Sequence, residues 1–368
     1  MSPAGAAGAA GADLLVVGGG PAGLATALAA HRVGMSVHVL DRRPGVVDKA
    51  CGEGLMPGGL ERLQALGVDP PGHVLTGIDY VTPAGRRAQA SFASPGRGVR
   101  RTVLHAAMRA AAQDAGLAIT HRRLDARREL DVQADHVLLD GARYRWVVGA
   151  DGLHSGVREL VAAPSRRLAQ AVPARVHPSR VLPRRYGLRA HLRTAPWTSQ
   201  VQVRFGDGVE AYLTPVADDL LGVALLSARR APFADHLSRL GEFGRHLAAH
   251  PASDWGPVAG AGPLWQAVPR RVAGPVLLVG DAAGYVDALT GEGVSLAMAQ
   301  APALVDCLVA GDAPAWERRW ARMTAAHRIA TGALVGAVSR RPTRSALLGA
   351  STTWPGLFER VVRSLADA

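Results

Sequence analysis

The segment Asp13–Gly23, DLLVVGGGPAG, constrains this chain more than any other. Leu14–Val17 is a short apolar run suited to a strand buried on both faces. Gly18–Gly23 then reads G-x-G-x-x-G, and an Ala/Leu-rich helix follows to Arg32. Gly18 permits the tight turn, Gly20 lets a pyrophosphate approach the backbone, and Gly23 lets the helix pack against the strand. The helix N-terminus offers unpaired N–H groups to phosphates. After a turn at Gly34, Ser36–Leu40 reads as a second strand ending at Asp41, where a carboxylate can accept hydrogen bonds from ribose hydroxyls. Together these features predict a dinucleotide site.

The 368 residues, 48% hydrophobic, suffice for one complex domain or two. The net charge of +12 does not argue for nucleic acid, because the bases are scattered and all but Lys49 are arginine. Two distant cysteines, Cys51 and Cys307, predict a reduced, cytoplasmic protein without a disulfide framework. Residues 1–12 form a Gly/Ala tail, expected to be disordered and not a cleaved signal.

Beyond Asp41, Lys49–Gly59 (KACGEGLMPGG) places Cys51 among glycines. It reads either as a backbone passing close to something flat or as a plain turn with a buried cysteine. A short helix is expected over Leu60–Leu66, strands over Ile78–Val81 and Ala88–Phe92, and a helix over Thr102–Ala115 opened by Arg101. An arginine at a helix start opposes the macrodipole unless an anion offsets it, which suggests a phosphate partner. Strands ending at Val148 lead into Gly149-Ala150-Asp151-Gly152. From Arg166 to Val268 the texture changes: Tyr186–Arg193, Gln200–Arg204, Glu210–Thr214 and Leu220–Leu226 read as an antiparallel sheet, and Phe233–Ala249 as helical. A buried strand over Pro275–Val279 then runs into Gly280 and Asp281, and Thr290-Gly291-Glu292-Gly293 opens a helix through Leu308. Trp316–Ala368 reads as helical and Arg-studded, able to cover the core or to rest on a partner or membrane surface.

Three separated motifs, GGGPAG with Asp41, GADG at 149–152 and GDAAGYVDALTGEG at 280–293, resemble the glutathione-reductase-type FAD fold in its aromatic hydroxylase branch. That superfamily includes flavin monooxygenases, geranylgeranyl reductases and flavin halogenases. The resemblance implies FAD, with Gly18, Gly20 and Gly23 on the pyrophosphate beside Pro21 and Ala22, and Asp41 on the adenosine ribose with Arg42 next to it. Arg101 matches the arginine that reaches the phosphates and ribityl. Asp151 matches the acidic residue of the middle motif, and Asp281, after Gly280, the one on the ribityl hydroxyls. Gly291, Glu292, Gly293 and Val294 match the helix start under the flavin pyrimidine, and Cys51 and Gly52 lie in the loop expected near the ring. The expected fold class is α/β: a Rossmann-like FAD-binding domain (13–75, 98–165 and 269–312), an inserted antiparallel-sheet substrate domain (76–97 and 166–268), and C-terminal helices (313–368).

Within the superfamily, KACGEGLMP and GDAAG look more like the geranylgeranyl reductase side, and the halogenase WxWxIP signature is absent. YVDALTGEG and the Arg-rich C-terminal helices resemble a bacterial branch found beside type III polyketide synthases. The first expectation is an FAD monooxygenase using O2 and transiently docked NAD(P)H, oxidising a phenolic or polyketide-type intermediate through a flavin hydroperoxide. The alternative is hydride transfer to an isoprenoid double bond, with Cys51 as proton donor. Candidate catalytic residues are Cys51 and Tyr212, with Tyr212 and Pro215 lining the pocket. The implied partner is a small aromatic or lipid-like molecule, with peripheral membrane contact through the C-terminal helices.

Overall fold

The first strand, β1 (Ala12–Val17), has Leu14, Leu15 and Val16 wholly buried, as its unbroken apolar run requires. The computed structural model describes residues 11–162, 184–285 and 293–338. Helix α1 (Pro21–Arg32) follows β1 directly, with Pro21 in its first turn and eight buried residues from Gly23 to Ala30. That burial covers more than one face, because α1 lies within the core rather than on its surface. β2 (Val37–Asp41) pairs with β1 in parallel, Val17 opposite Leu40.

The chain then leaves for a second sheet sooner than the sequence suggests. β3 (Gly54–Leu55) pairs with Gly98 and Arg97, and β4 (His73–Val81) and β5 (Arg87–Gly98) form a long hairpin. The second sheet therefore draws in residues 54–55 and 73–75, which the sequence assigns to the nucleotide domain. Between β3 and β4, α2 (Pro57–Ala65) begins three residues earlier than expected, since proline fits the first turn of a helix. α3 (Arg101–Asp114), β6 (Ala118–His121), the short α4 (Ala126–Glu129), β7 (Asp131–Val132), β8 (Val137–Leu139) and β9 (Ala142–Gly149) return to the first sheet, and α5 (Val157–Ala162) follows.

β10 (Tyr186–Arg193), β11 (Gln200–Phe205), β12 (Val209–Ala217) and β13 (Leu220–Ser227) build out the second sheet. The helical stretch expected over Phe233–Ala249 consists of two helices, α6 (Phe233–Ser238) and α7 (Glu242–Ala248). Gly241 separates them with a φ of +69°, which no continuous helix accommodates. β14 (Ala259–Ala261) edges the second sheet, and β15 (Val272–Ala273) and β16 (Val276–Leu278) complete the first. α8 (Gly293–Val309) and α9 (Ala315–Val338) close the described chain.

In the first sheet β16, β9, β1, β2 and β6 lie side by side, all parallel, with β15 antiparallel on the edge. The second runs β14-β10-β13-β12-β11-β4-β5-β3 and is antiparallel except where β11 meets β4. Alternation along its strands sorts the side chains. Leu213, Leu221, Val223 and Leu225 pack with Leu237, Leu240 and Leu247 of α6 and α7, while Tyr212, Val203, Val201 and Leu226 face the opposite way. The covering helices on one side leave the other face to a cavity.

Candidate functional site

A cavity of about 430 Å³ lies between the C-terminal ends of the first sheet's strands and this open face of the second. Its first wall is glycine. A Cβ on Gly18 (φ +113°) would lie 2.5 Å from the Ala150 carbonyl oxygen, and one on Gly23 1.8 Å from that of Gly18, so both are packing requirements. Gly20 differs, because a Cβ there would meet no atom within 4 Å. Protein contact therefore does not explain the glycine at position 20; it keeps the backbone bare toward the cavity. Gly20 caps α1 without a side-chain hydrogen bond, and Pro21 and Ala22 line the cavity beside it. The first-turn N–H groups thus have no side-chain acceptor. Asp41, buried beneath Gly19, accepts from the Arg43 N–H at 3.3 Å, and Arg42 lies on the same rim.

Arg101 opens α3 buried, and one guanidinium nitrogen, Nη1, has no hydrogen-bond partner among the described residues. Burial pushes its pKa down, against the neighbouring Cys51 and the charges of Asp281, Asp48 and Glu53. A buried, incompletely satisfied cation, bare glycine backbone and a helix N-terminus together fit an anionic dinucleotide. Asp281 follows Gly280 (φ +60°) at the end of β16 and meets Lys49 Nζ at 3.4 Å. Asp151 has a structural duty: its Oδ2 accepts from Gly156 N–H (2.8 Å) and Val157 N–H (3.3 Å) at the start of α5, while Oδ1 is buried without a partner. Gly293 and Val294 line the cavity; Gly291 and Glu292 lie outside the described residues.

The floor is the second sheet. Its register aligns Tyr80, Val203, Tyr212, Ala224 and Arg189 in one row across five strands. At about 4.8 Å per strand this row spans roughly 19 Å. Tyr212 lies at its centre, its hydroxyl donating to Glu210 Oε2 at 3.3 Å. Pro215 is a correction. It pairs with Leu221 on the face covered by α6 and α7, so its neighbour Thr214, which does line the cavity, takes the expected place.

The loop carrying Cys51 is pinned from both sheets. Val47 N–H donates to His105 Nδ1 (2.9 Å), whose Nε2 donates to the Gly19 carbonyl (2.7 Å), and burial pushes the His105 pKa down. Thr214 Oγ1 donates to the Gly52 carbonyl at 2.8 Å. Asp48 pairs with Arg189, and Glu53 with His191. Cys51 and Gly52 line the cavity. Burial pushes the Cys51 pKa up; the Arg101 charge pulls it down, the Glu53 charge raises it, and the Glu53 N–H and Lys49 lower it. Sequence reasoning missed His105, Glu53, Arg189 and His191. One signal was legible: Arg189 and His191 stand two apart in a strand, hence on one face.

A family model described as an FAD binding domain matches residues 11–183. The chain is 32% identical over 320 residues to a menaquinone reductase of Mycobacterium tuberculosis, covering 77% of this chain and 73% of that protein. It is 26% identical over 312 residues to digeranylgeranylglycerophospholipid reductase 3 of Methanosphaera stadtmanae, covering 78% and 74%. Among solved structures, p-nitrophenol 4-monooxygenase from Pseudomonas putida shares the fold with a TM-score of 0.75 at 18% identity, covering 97% of each chain. Fold and site define a flavoprotein oxidoreductase whose cofactor is FAD. The chain belongs to the family of FAD-dependent oxidoreductases that contains these menaquinone reductases.

Proposed function

We propose that this protein reduces a carbon–carbon double bond in the isoprenoid chain of a lipid or quinone. The observation that carries the reading is a cysteine, Cys51, lining a cavity whose floor is a row of aromatic and aliphatic side chains that ends in Arg189. The relatives named as reductases of menaquinone and of a digeranylgeranyl lipid support it. Gly18, Gly20, Pro21, Ala22, Gly23, Asp41, Arg42, Arg101, Asp281, Gly293 and Val294 would hold FAD, which supplies the hydride when bound, NAD(P)H serving as transient reductant. Cys51 Sγ–H then gives its proton to the adjoining carbon, so one hydride and one proton saturate the bond. Arg101 and Lys49 stabilise the thiolate left behind until solvent returns the proton. The Tyr212 ring shapes the floor, and Tyr80, Val203, Tyr212 and Ala224 exclude water and lay out an extended chain.

Aromatic hydroxylation with O2, expected first from the sequence, would use the same cofactor site. The curated relatives described above, at 32% and 26% identity, are both named as reductases. Peripheral membrane contact would suit a lipid substrate. α9 instead buries Trp316 and Trp320 in the core, residues 339–368 lie outside the described residues, and no described helix is long and apolar enough to cross a membrane.

The deciding experiment is anaerobic turnover of the reduced holoenzyme with a prenylated quinone. Saturated product is expected from the parent, with kcat reduced about 10²-fold in Cys51→Ala while FAD stays bound. Stoichiometric O2 consumption with an oxygenated product, and no saturation without O2, would overturn the reading.

A further inference from the structure

Glu53, two residues beyond Cys51, is the most constrained residue of the loop. It is a non-glycine residue at φ +61°, a conformation that costs energy and persists only where its surroundings enforce it. Its side chain is 0% exposed. Oε1 accepts the Arg101 N–H at 2.8 Å, and Oε2 lies 2.8 Å from His191 Nε2. Arg189 Nη1 lies 3.1 Å from His191 Nδ1, and since arginine has no acceptor, Nδ1 must accept. His191 is therefore neutral, with its proton on Nε2 donated to Glu53. Arg189 also pairs with Asp48 and sets its Nε 3.8 Å from Glu53 Oε1. On the sheet below, a Cβ at Gly222 would lie 2.9 Å from Glu53 Oε2, so β13 keeps a bare backbone where the carboxylate rests. Glu53 also reaches the thiol loop through its backbone: its N–H points at Cys51 Sγ at 3.4 Å, and its carbonyl accepts from Val99 N–H at 2.8 Å.

Apolar packing would serve a purely mechanical clamp at least as well as a buried, paired carboxylate. The charge calls for a further reason, and the neighbouring thiol provides one. We propose that Glu53 is a positioning residue for Cys51: a carboxylate clamped between the two sheets that fixes the turn carrying the thiol and holds a negative charge beside it. Asp48, Arg189 and His191 hold that carboxylate in place. The inference rests on the reading of Cys51 as proton donor, since the charge opposes Arg101 and Lys49 and keeps hydrogen on the sulfur.

The test is iodoacetamide alkylation of the holoenzyme across pH, read by mass spectrometry of the Cys51 peptide. Glu53→Gln keeps the shape and removes the charge. It should raise the Cys51 alkylation rate near neutral pH about tenfold, the expected effect of losing one adjacent like charge, and lower kcat with little change in KM. Glu53→Asp, which keeps the charge, should return the profile most of the way to the parent. A parent-like profile in Glu53→Gln, or equal changes in the Gln and Asp variants, would overturn the proposal. Should Glu53→Gln fail to retain FAD, Gly222→Ala decides the matter, because its methyl displaces the carboxylate: a shifted profile supports the proposal and an unshifted one overturns it. Full turnover by Cys51→Ala would refute the proton-donor role while leaving the alkylation profiles as they are, so the two failures are distinguishable.

Discussion

The glycines of the first motif have two different origins, and substituting Gly20 and Gly23 separates them. At Gly23 an added methyl would stand 1.8 Å from the Gly18 carbonyl oxygen and 3.2 Å from Ala150 Cβ. Restoring ordinary contact requires α1 to retreat by about 1.5 Å from the end of β1, an overpacking that costs about 1–3 kcal/mol. For a chain of this size that lowers Tm by about 1–4 °C. At Gly20 the methyl would meet nothing within 4 Å, and the backbone (φ −77°, ψ −178°) suits any residue. Gly20→Ala should therefore leave the apoprotein within about 0.5 kcal/mol of the parent. Its methyl instead takes space meant for the cofactor. A clash of about 2–3 kcal/mol with bound pyrophosphate weakens FAD by about 10²-fold. The assay is thermal unfolding of each apoprotein with and without FAD, alongside a flavin fluorescence titration. FAD at about 100 times its parent Kd should stabilise the parent by about 2.7 kcal/mol, an increment Gly20→Ala should largely lose. Parent-like FAD affinity in Gly20→Ala, or an unchanged apo Tm in Gly23→Ala, would refute this division of roles.

Three further outcomes follow from the structure. Ala224→Phe, in the floor between Tyr212 and Arg189, should cut kcat/KM at least tenfold while FAD binding stays at the parent level; unchanged kinetics would place the substrate elsewhere. Burial, with the Arg101 and Arg109 charges, holds the His105 pKa below the usual ~6.5, so the unfolded chain takes up its proton first as pH falls. Stability should accordingly drop below about pH 6.5, by at most about 1.4 kcal/mol per pH unit from this group. His105→Gln should flatten that slope in Tm measured from pH 7.5 to 5, the remainder coming from His38 and His236, whose pKa values burial also lowers. Arg271→Ala removes a buried pair with Glu317 (2.6 Å), donation to the Val268 and Ala283 carbonyls, and a stack over Trp320, and should cost about 3–5 kcal/mol in urea unfolding. The double variant with Glu317→Ala should cost less than the sum of the two single changes, since neither charge is then left unpaired.

Wherever the chemistry of the fold is local, it was legible in order along the chain. A four-residue apolar strand, three spaced glycines and an acidic strand end specify the nucleotide turn, because strand, turn and helix N-terminus are consecutive and need no distant partner. The strands β10–β13 were equally legible, since alternation with a period of two survives in any sheet with one covered face. Pairing between distant segments was not: nothing near Gly54 or His73 announces that both join the second sheet, and nothing local to Pro215 says which side of β12 it occupies until Leu221 is set opposite. The break at Gly241 was readable in principle but masked by helix formers on both sides.

For the candidate site the division is sharper. The glycine motif together with its strand, its helix and Asp41 predicted a dinucleotide site, and its relation to Asp281 that the dinucleotide belongs at the strand ends, because backbone-bare turns and carboxylates at strand termini have few other uses in combination. Only the tertiary structure decided what surrounds Cys51. Glu53, Arg189 and His191 come from a loop and a strand about 140 residues apart, and each alone is an ordinary polar residue. Buried against Gly222, they form a charged cluster beside the thiol, and the free energy of burying such a cluster exists only once the two sheets have met.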